Sequence, residues 1–135
     1  MNYIIYPQWL KTEQSLKQKL AQLINSPSVD NIALVKNTSE ALSFVANGLD
    51  WQTGDSIVIA REEFPSNRIV WQSLQQQGVS VKLVSLYNDH NNFSPEQNLL
   101  NAIDDTTRLL SVSSVQYADG LRMDSTANRA ILSAA

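Results

Sequence analysis

The sequence predicts an α/β fold of three layers, in which a mostly parallel four-stranded sheet lies between two layers of helices. Segments of continuous apolar residues alternate with segments in which apolar residues recur every three or four positions. Continuously apolar strands are typical of parallel sheets that are covered on both faces. No internal repeat or linker interrupts the pattern, so the 135 residues are predicted to form a single α/β domain.

Four strands are predicted from the apolar runs. They cover residues 32–36, 56–60, 79–86 and 107–115. A helix lies between successive strands, so the connections are crossovers between parallel strands, which are right-handed almost without exception.

The first two helices are predicted from apolar residues at helical spacing. Residues 10–25 form an amphipathic helix that ends at Ser26-Pro27. A second helix follows residue 37. Gly48 suits the position directly after its end, where a left-handed backbone is common.

The other two helices are marked by residues that favour helix ends. Ser66 is the predicted N-cap of a third helix, which ends at Gly78. Ser94-Pro95 opens a capping-box pattern with proline at the first helical position, so a short helix is predicted through residue 103.

Composition narrows the classes of partner. The net charge is −3 and no run of lysine or arginine occurs, so a nucleic-acid partner is not expected. The absence of cysteine excludes disulfides and thiolate chemistry and fits a cytoplasmic location. The first ten residues lack the pattern of a signal peptide, and no apolar run approaches the roughly 20 residues of a membrane span.

The first candidate site is the predicted strand-to-helix junction at residues 36–40. Ligands of open parallel sheets bind at the carboxyl ends of the strands, and the first turn of a helix offers unpaired N–H groups to an anion. Thr38 and Ser39 add hydroxyl groups there. The alternative is an ordinary N-cap by Asn37 or Thr38, with the charge of Glu40 complementing the helix dipole.

A second candidate lies after the next strand, where Phe64 either stacks on a planar ligand or packs under its loop. The single histidine, His90, is interpreted as a solvated loop residue, because Asp89 and His90 are too few ligands for a metal. Asp104 and Asp105 are interpreted as turn residues. No catalytic or metal-binding residue is therefore predicted from these patterns.

Taken in order, several segments resemble the large domain of the class V, fold-type-I pyridoxal-phosphate enzymes. This group includes cysteine desulfurases, selenocysteine lyases and kynureninases. The similarity covers about residues 32–124 and leaves a divergent tail at residues 125–135. The segments that carry it are Asn37-Thr38-Ser39-Glu40-Ala41, Trp51-Gln52-Thr53-Gly54-Asp55, Glu63-Phe64-Pro65-Ser66-Asn67 and Val115-Gln116-Tyr117-Ala118-Asp119-Gly120.

The resemblance implies roles for particular residues. Thr38 and Ser39 fall where the family binds the cofactor phosphate, and Phe64 falls where it stacks an aromatic residue on the pyridine ring. Gln116 or Tyr117 falls where many members place an asparagine near the ring hydroxyl. The cofactor-binding residues expected from the resemblance are therefore Thr38, Ser39, Phe64 and Gln116.

Two residues that the family needs for catalysis are absent. The sequence ends at Ala135, before the aspartate that pairs with the pyridine nitrogen and before the lysine that anchors the cofactor covalently. None of the five lysines matches the anchoring position, and Lys36 is at most a phosphate contact. The implied function is a truncated, non-catalytic remnant; Met1 and the divergent tail favour a natural short reading frame. The alternatives are a non-covalent binder of pyridoxal phosphate or another phosphorylated small molecule, or part of an enzyme completed by another chain.

The missing part of the family fold also affects the sheet. In the family, three further strands separate the first strand from the second, third and fourth. Here residues 32–36 would either rejoin beside the fourth strand, giving the order three-two-four-one, or pair with another copy. Exposed apolar edges favour a homo-oligomer. If the first strand has moved, we expect Thr38 and Phe64 not to face a common cavity.

Overall fold

The computed structural model describes residues 5–87 and 92–124. The chain divides into two compact units, Met1–Lys36 and Asn37–Ala135. No helix in the described part of the chain is both long and apolar enough to cross a membrane.

The first unit is built around helix α1, Ile5–Leu23. The helix ends in a Schellman motif: Asn25 has a left-handed φ of 55°, and the N–H of Ser26 donates to the carbonyl of Ala21 at 2.8 Å. A short 3₁₀ helix, Val29–Asn31, follows. The predicted helix at residues 10–25 is thus confirmed, although it begins five residues earlier.

The second unit contains the sheet and three further α-helices. The helices are α2, Thr38–Gly48; α3, Ser66–Gln72, which continues as the 3₁₀ helix Ser73–Gln77; and α4, Pro95–Leu100. The strands are β1, Ser56–Ala60; β2, Ser80–Val84; and β3, Thr107–Ser111. Both pairings are parallel and the order is β2-β1-β3.

The central strand β1 is buried along its whole length and divides the core into two clusters. One face carries Ile57 and Ile59, which pack with residues of α2, α3 and the segment after them, namely Ala46, Trp71, Leu74 and Val79. The other face carries Val58 and Ala60, which pack with Leu86, Leu99 and Met123. The predicted three-layer α/β fold with a parallel sheet is therefore confirmed.

The sheet has three strands in the described residues rather than the predicted four. Residues 32–36 form no strand, although the backbone of Ile32 is extended, and Leu34 and Val35 are 42% and 37% exposed. A strand needs a partner for its backbone N–H and carbonyl groups, and an apolar run does not itself provide one. The predicted strand order three-two-four-one is therefore wrong for this chain by itself. The predicted second, third and fourth strands are the observed β1, β2 and β3, and their order β2-β1-β3 is the predicted three-two-four.

Two predicted helix ends are also wrong. Gly48 is the last residue of α2 and its φ is not positive; the helix ends because Leu49 is extended, with a ψ of 141°. Ser66 is the first residue of α3 rather than its cap. Pro65 before it is already helical and makes no side-chain cap bond.

Two other helix-end predictions, at Ser94 and Gly78, are confirmed, whereas the helix after Ser94 ends at Leu100 rather than at the predicted residue 103. The hydroxyl oxygen of Ser94 accepts a hydrogen bond from the N–H of Gln97 at 3.2 Å, and Pro95 occupies the first helical position. Gly78 ends the 3₁₀ helix after α3 with a left-handed φ of 83°. These are positions where local chemistry decides the structure.

Candidate functional site

A cavity of about 360 Å³ lies where β1 and β3 end and α2 begins. Ligands of parallel α/β sheets bind at this edge, because the loops that leave the strands meet there. Eight residues from the starts of α2 and α3 and from the loops line it: Thr38, Leu42, Phe64, Ser66, Asn67, Ser111, Val112 and Ser113.

The start of α2 is organised by Asn37. Its backbone is extended, and its Oδ1 accepts a hydrogen bond from the N–H of Glu40 at 2.9 Å. This is the ordinary N-cap that was one of the two interpretations of the junction. Thr38 and Ser39 are the first two helical residues, and Thr38 lines the cavity. Ser39 is exposed and is not part of the lining.

Phe64 lines the same cavity as Thr38. Its side chain is 51% exposed, so it does not pack under its loop, and its ring meets that of Tyr117 edge-on at 5.2 Å. The expectation that a displaced first strand separates Thr38 from Phe64 is therefore wrong. Thr38 is positioned by α2, which is held on the sheet through Ala46 and Leu42.

A buried carboxylate that sequence reasoning missed lies next to this cavity. Glu63 is only 4% exposed. Its oxygens accept hydrogen bonds from the N–H of Ser113 at 2.6 Å, the hydroxyl of Ser113 at 2.7 Å and the Nε2 of Gln116 at 3.0 Å. Glu63 thereby joins the loop after β1 to the segment after β3, and it fixes the orientation of Ser113 in the cavity wall.

Burial by itself raises the pKa of Glu63, but hydrogen bonds from Ser113, Asn67 and Gln116 together outweigh that effect, so the pKa lies below its ordinary value. Glu63 is therefore a buried anion at neutral pH. Its charge is satisfied by the protein rather than directed at a ligand.

Asn67 connects the cavity wall to the core. Its Oδ1 accepts hydrogen bonds from the Nε1 of Trp71 at 3.0 Å and from the hydroxyl of Ser111 at 2.6 Å. Asn67 was also missed as a site residue. The available signal was its place in the segment of residues 63–67, where a carboxylate follows a buried strand and an amide follows four residues later.

Gln116, which the resemblance assigns to the ring hydroxyl, is buried below the site rather than exposed in it. Its side chain is 2% exposed and is not part of the cavity lining. The Nε2 group donates to Glu63, and the Oε1 atom is buried with no hydrogen-bond partner in the described part of the chain. The cavity thus brings together two of the four predicted residues, Thr38 and Phe64.

No lysine lines the cavity, and all five lysines fall within the described residues. Lys82 pairs with Asp104 at 2.7 Å, close to Thr106 and Thr107 at the amino end of β3. Lys82 first, and then Thr106, hold the pKa of Asp104 well below its usual range. Asp104 also accepts from the N–H of Thr106 at 3.1 Å, which confirms its interpretation as a turn residue.

The structure describes no metal centre at this edge. Residues 5–87 and 92–124 contain no group of three or more histidine, cysteine, aspartate or glutamate side chains that suits a metal ion. The interpretation of Asp89 and His90 lies outside the described residues.

The fold and this site define an open parallel α/β domain with a ligand-sized cavity at the carboxyl edge of its sheet. The model of the aminotransferase class-V family matches residues 8–131. Because that match covers most of the chain, the chain belongs to the class-V aminotransferase family, which confirms the resemblance.

The relatives of this chain include cysteine desulfurases. A probable cysteine desulfurase of Methanothermobacter thermautotrophicus is 38% identical over 111 residues, which are 82% of this chain and 27% of that protein. A cysteine desulfurase of Pectobacterium carotovorum is 32% identical over 111 residues, which are 79% of this chain and 27% of that protein. The chain thus spans about a quarter of the length of the curated relatives that it matches.

Solved structures share the fold. The cysteine desulfurase CsdA from Escherichia coli gives a TM-score of 0.79 at 24% identity, covering 99% of this chain and 34% of its own. The cystine C–S lyase C-DES gives a TM-score of 0.82 at 23% identity, covering 96% of this chain and 34% of its own. At these identities the likeness shows the fold alone.

Proposed function

We propose that this chain has no catalytic activity of its own and retains a non-covalent binding site for pyridoxal phosphate or a similar phosphorylated small molecule. The observation that supports this proposal is the shared cavity of Thr38 and Phe64, whose lining contains no lysine. The structural neighbour C-DES was crystallised with its pyridoxal-phosphate cofactor.

The residues of the cavity suit such a ligand in three respects. Its volume of about 360 Å³ falls within the roughly 300–1,000 Å³ of small-molecule sites. The hydroxyl of Thr38 and the first N–H groups of α2 are donors for a phosphate group. The half-exposed ring of Phe64 offers an apolar surface to a planar ring.

The same lining argues against tight binding and against catalysis. Among the residues that the structure describes, it contains no arginine or lysine, so a phosphate group would be held by neutral donors alone. Bound pyridoxal phosphate supplies an electron-accepting ring to enzymes that anchor it through a lysine. The ammonium group of Lys82 lies at the other end of the sheet, in its pair with Asp104.

Titration of the purified protein with pyridoxal phosphate tests the proposal, with the absorption spectrum and the melting temperature as readouts. We expect a saturable change in both for the protein, and none for the T38A/S39A double variant. The matched control is Thr12→Ala, which removes an exposed threonine hydroxyl from α1 and should leave binding unchanged. Pyridoxal without phosphate should bind more weakly.

Borohydride reduction followed by peptide mass spectrometry tests the proposal that the chain has no catalytic activity of its own. We expect no single lysine to be labelled in stoichiometric amount. Stoichiometric labelling of one lysine would contradict the proposal and favour an enzyme that another chain completes. Binding that T38A/S39A leaves intact would contradict the assignment of the phosphate site.

We further propose that the chain associates with itself. Within the described residues, β2 and β3 each pair with β1 alone, so each has one edge without a strand partner. Unpaired strand edges favour pairing with another chain.

A further inference from the structure

A second cavity lies beside the loop that follows β1. Its volume is about 340 Å³, and it shares no lining residue with the cavity of Thr38 and Phe64. Two arginines line it: Arg61, directly after β1, and Arg68, in the first turn of α3. The other polar or charged lining residues are Glu62, Glu63, Gln72 and Tyr117.

The carboxylates in this lining are already engaged by the protein. Glu62 accepts hydrogen bonds from the hydroxyl of Ser85 at 2.9 Å and from the N–H of Leu86 at 3.1 Å. Glu63 accepts the three bonds from Ser113 and Gln116 given above. Each of the four carboxylate oxygens is thus an acceptor for another group of the protein.

Within residues 5–87 and 92–124, neither Arg61 nor Arg68 forms an ion pair, and both side chains are exposed. A guanidinium presents its donors as a planar fork that matches the oxygens of a phosphate or a carboxylate. The cavity therefore contains two guanidinium groups that form no ion pair with the described residues.

Tyr117 forms one wall of this cavity. Its ring is held edge-on by Phe64 at 5.2 Å, and 63% of the side chain is exposed. The phenol hydroxyl is a further donor for an oxyanion, and the ring bounds the cavity that both arginines line.

We propose that Arg61 and Arg68 form a binding site for the oxyanion group of a small molecule, either a phosphate or a carboxylate. The two groups share the chemistry that a guanidinium fork recognises. This site is independent of the proposed pyridoxal-phosphate cavity.

Calorimetric and thermal-shift titrations with inorganic phosphate and with succinate test the proposal, with sodium chloride at equal ionic strength as the salt control. We expect one of the two anions to raise the melting temperature beyond the effect of chloride, which also identifies the group that is recognised. In the R61Q/R68Q double variant the affinity should fall about tenfold or more, because charge-assisted bonds are lost. Arg108→Gln, which removes an exposed arginine from β3, should bind as the parent does.

Two further variants sharpen the result. R61K/R68K keeps both charges but loses the forks, so its affinity should lie between those of the parent and R61Q/R68Q. T38A/S39A should keep the full response, which separates this site from the first cavity. An equal response in R61Q/R68Q and in the parent would overturn the proposal. So would the absence of any response to either anion beyond that of chloride.

Discussion

At the scale of single residues, Glu63 contributes most to the geometry of the site without lining the cavity of Thr38. A buried carboxylate is costly unless its oxygens accept hydrogen bonds, and Glu63 accepts three from two side chains and one backbone N–H. Ser113 is held in the cavity wall by two of these bonds. The geometry of the first cavity therefore depends on a residue just outside it.

Glu63→Gln should destabilise the protein by about 1–3 kcal/mol, since one of the two carboxylate oxygens becomes an NH₂ group that cannot accept the hydrogen bond donated to that oxygen. The loss is measured by urea unfolding at neutral pH. Glu13→Gln is the control: it removes an exposed carboxylate from a surface ion pair, which costs less than about 0.5 kcal/mol. Equal effects of the two substitutions would show that the bonds of Glu63 contribute nothing beyond its charge.

The difference in stability between the parent and Glu63→Gln should also depend on pH, in a direction that the pKa of Glu63 determines. The pKa of Glu63 is lower in the folded state than its ordinary value of 4.5. Its ionised form therefore stabilises the fold above that value, and the stabilisation is lost as the pH falls through the folded-state pKa. The difference in stability between the parent and Glu63→Gln should accordingly narrow as the pH falls from 4.5 through the folded-state pKa.

The site residues show which roles a sequence can reveal. Thr38 and Phe64 were predicted as site residues because each stands near the end of a strand or the start of a helix, and both line the first cavity. Glu63 and Gln116 depend on a contact between segments 53 positions apart. No local pattern specifies such a contact, and so Glu63 was missed and Gln116 was placed in the site rather than beneath it.

At the scale of elements, the end of the 3₁₀ helix after α3 depends on one glycine. Gly78 has a φ of 83°, and a Cβ at this position would lie 2.9 Å from the Cγ2 atom of Thr53. Gly78→Ala should therefore cost about 1–2 kcal/mol for the left-handed backbone, and more for the close contact.

Gly48→Ala is the matched control for this prediction. Gly48 lies in α2 without a positive φ, and nothing lies within 4 Å of the added methyl group. Alanine there should be neutral or stabilise the protein by up to about 1 kcal/mol. Urea midpoints of both variants against the parent measure the two effects, and a similar loss in both would refute the explanation by backbone conformation.

Among the elements, the helix ends at Ser94 and Gly78 and the strand at residues 56–60 followed from sequence because local chemistry or full burial decides them. The strand at residues 32–36 did not form, because a strand also needs a partner and the sequence pattern shows only its apolar side chains. Gly48 shows a related limit: a residue that favours a left-handed backbone does not impose one.

At the scale of the whole molecule, the two edges of the sheet differ in their chemistry. The edge strand β3 exposes the charge of Arg108, and charged edges oppose pairing with another chain. The edge strand β2 exposes Leu83, and the charge of its Lys82 is engaged by Asp104. Self-association is therefore expected through β2 rather than β3.

Light scattering at several protein concentrations tests this expectation, and we expect a dimer or a higher oligomer. Leu83→Lys should shift the population toward monomer, because a lysine on an edge strand would have to be desolvated on pairing. Gln75→Lys adds the same charge at an exposed position outside β2, in the 3₁₀ helix after α3, and should leave the association unchanged. A parent protein that is monomeric and well folded at all concentrations would refute self-association, and equal dissociation of both variants would show that net charge rather than the β2 edge controls it.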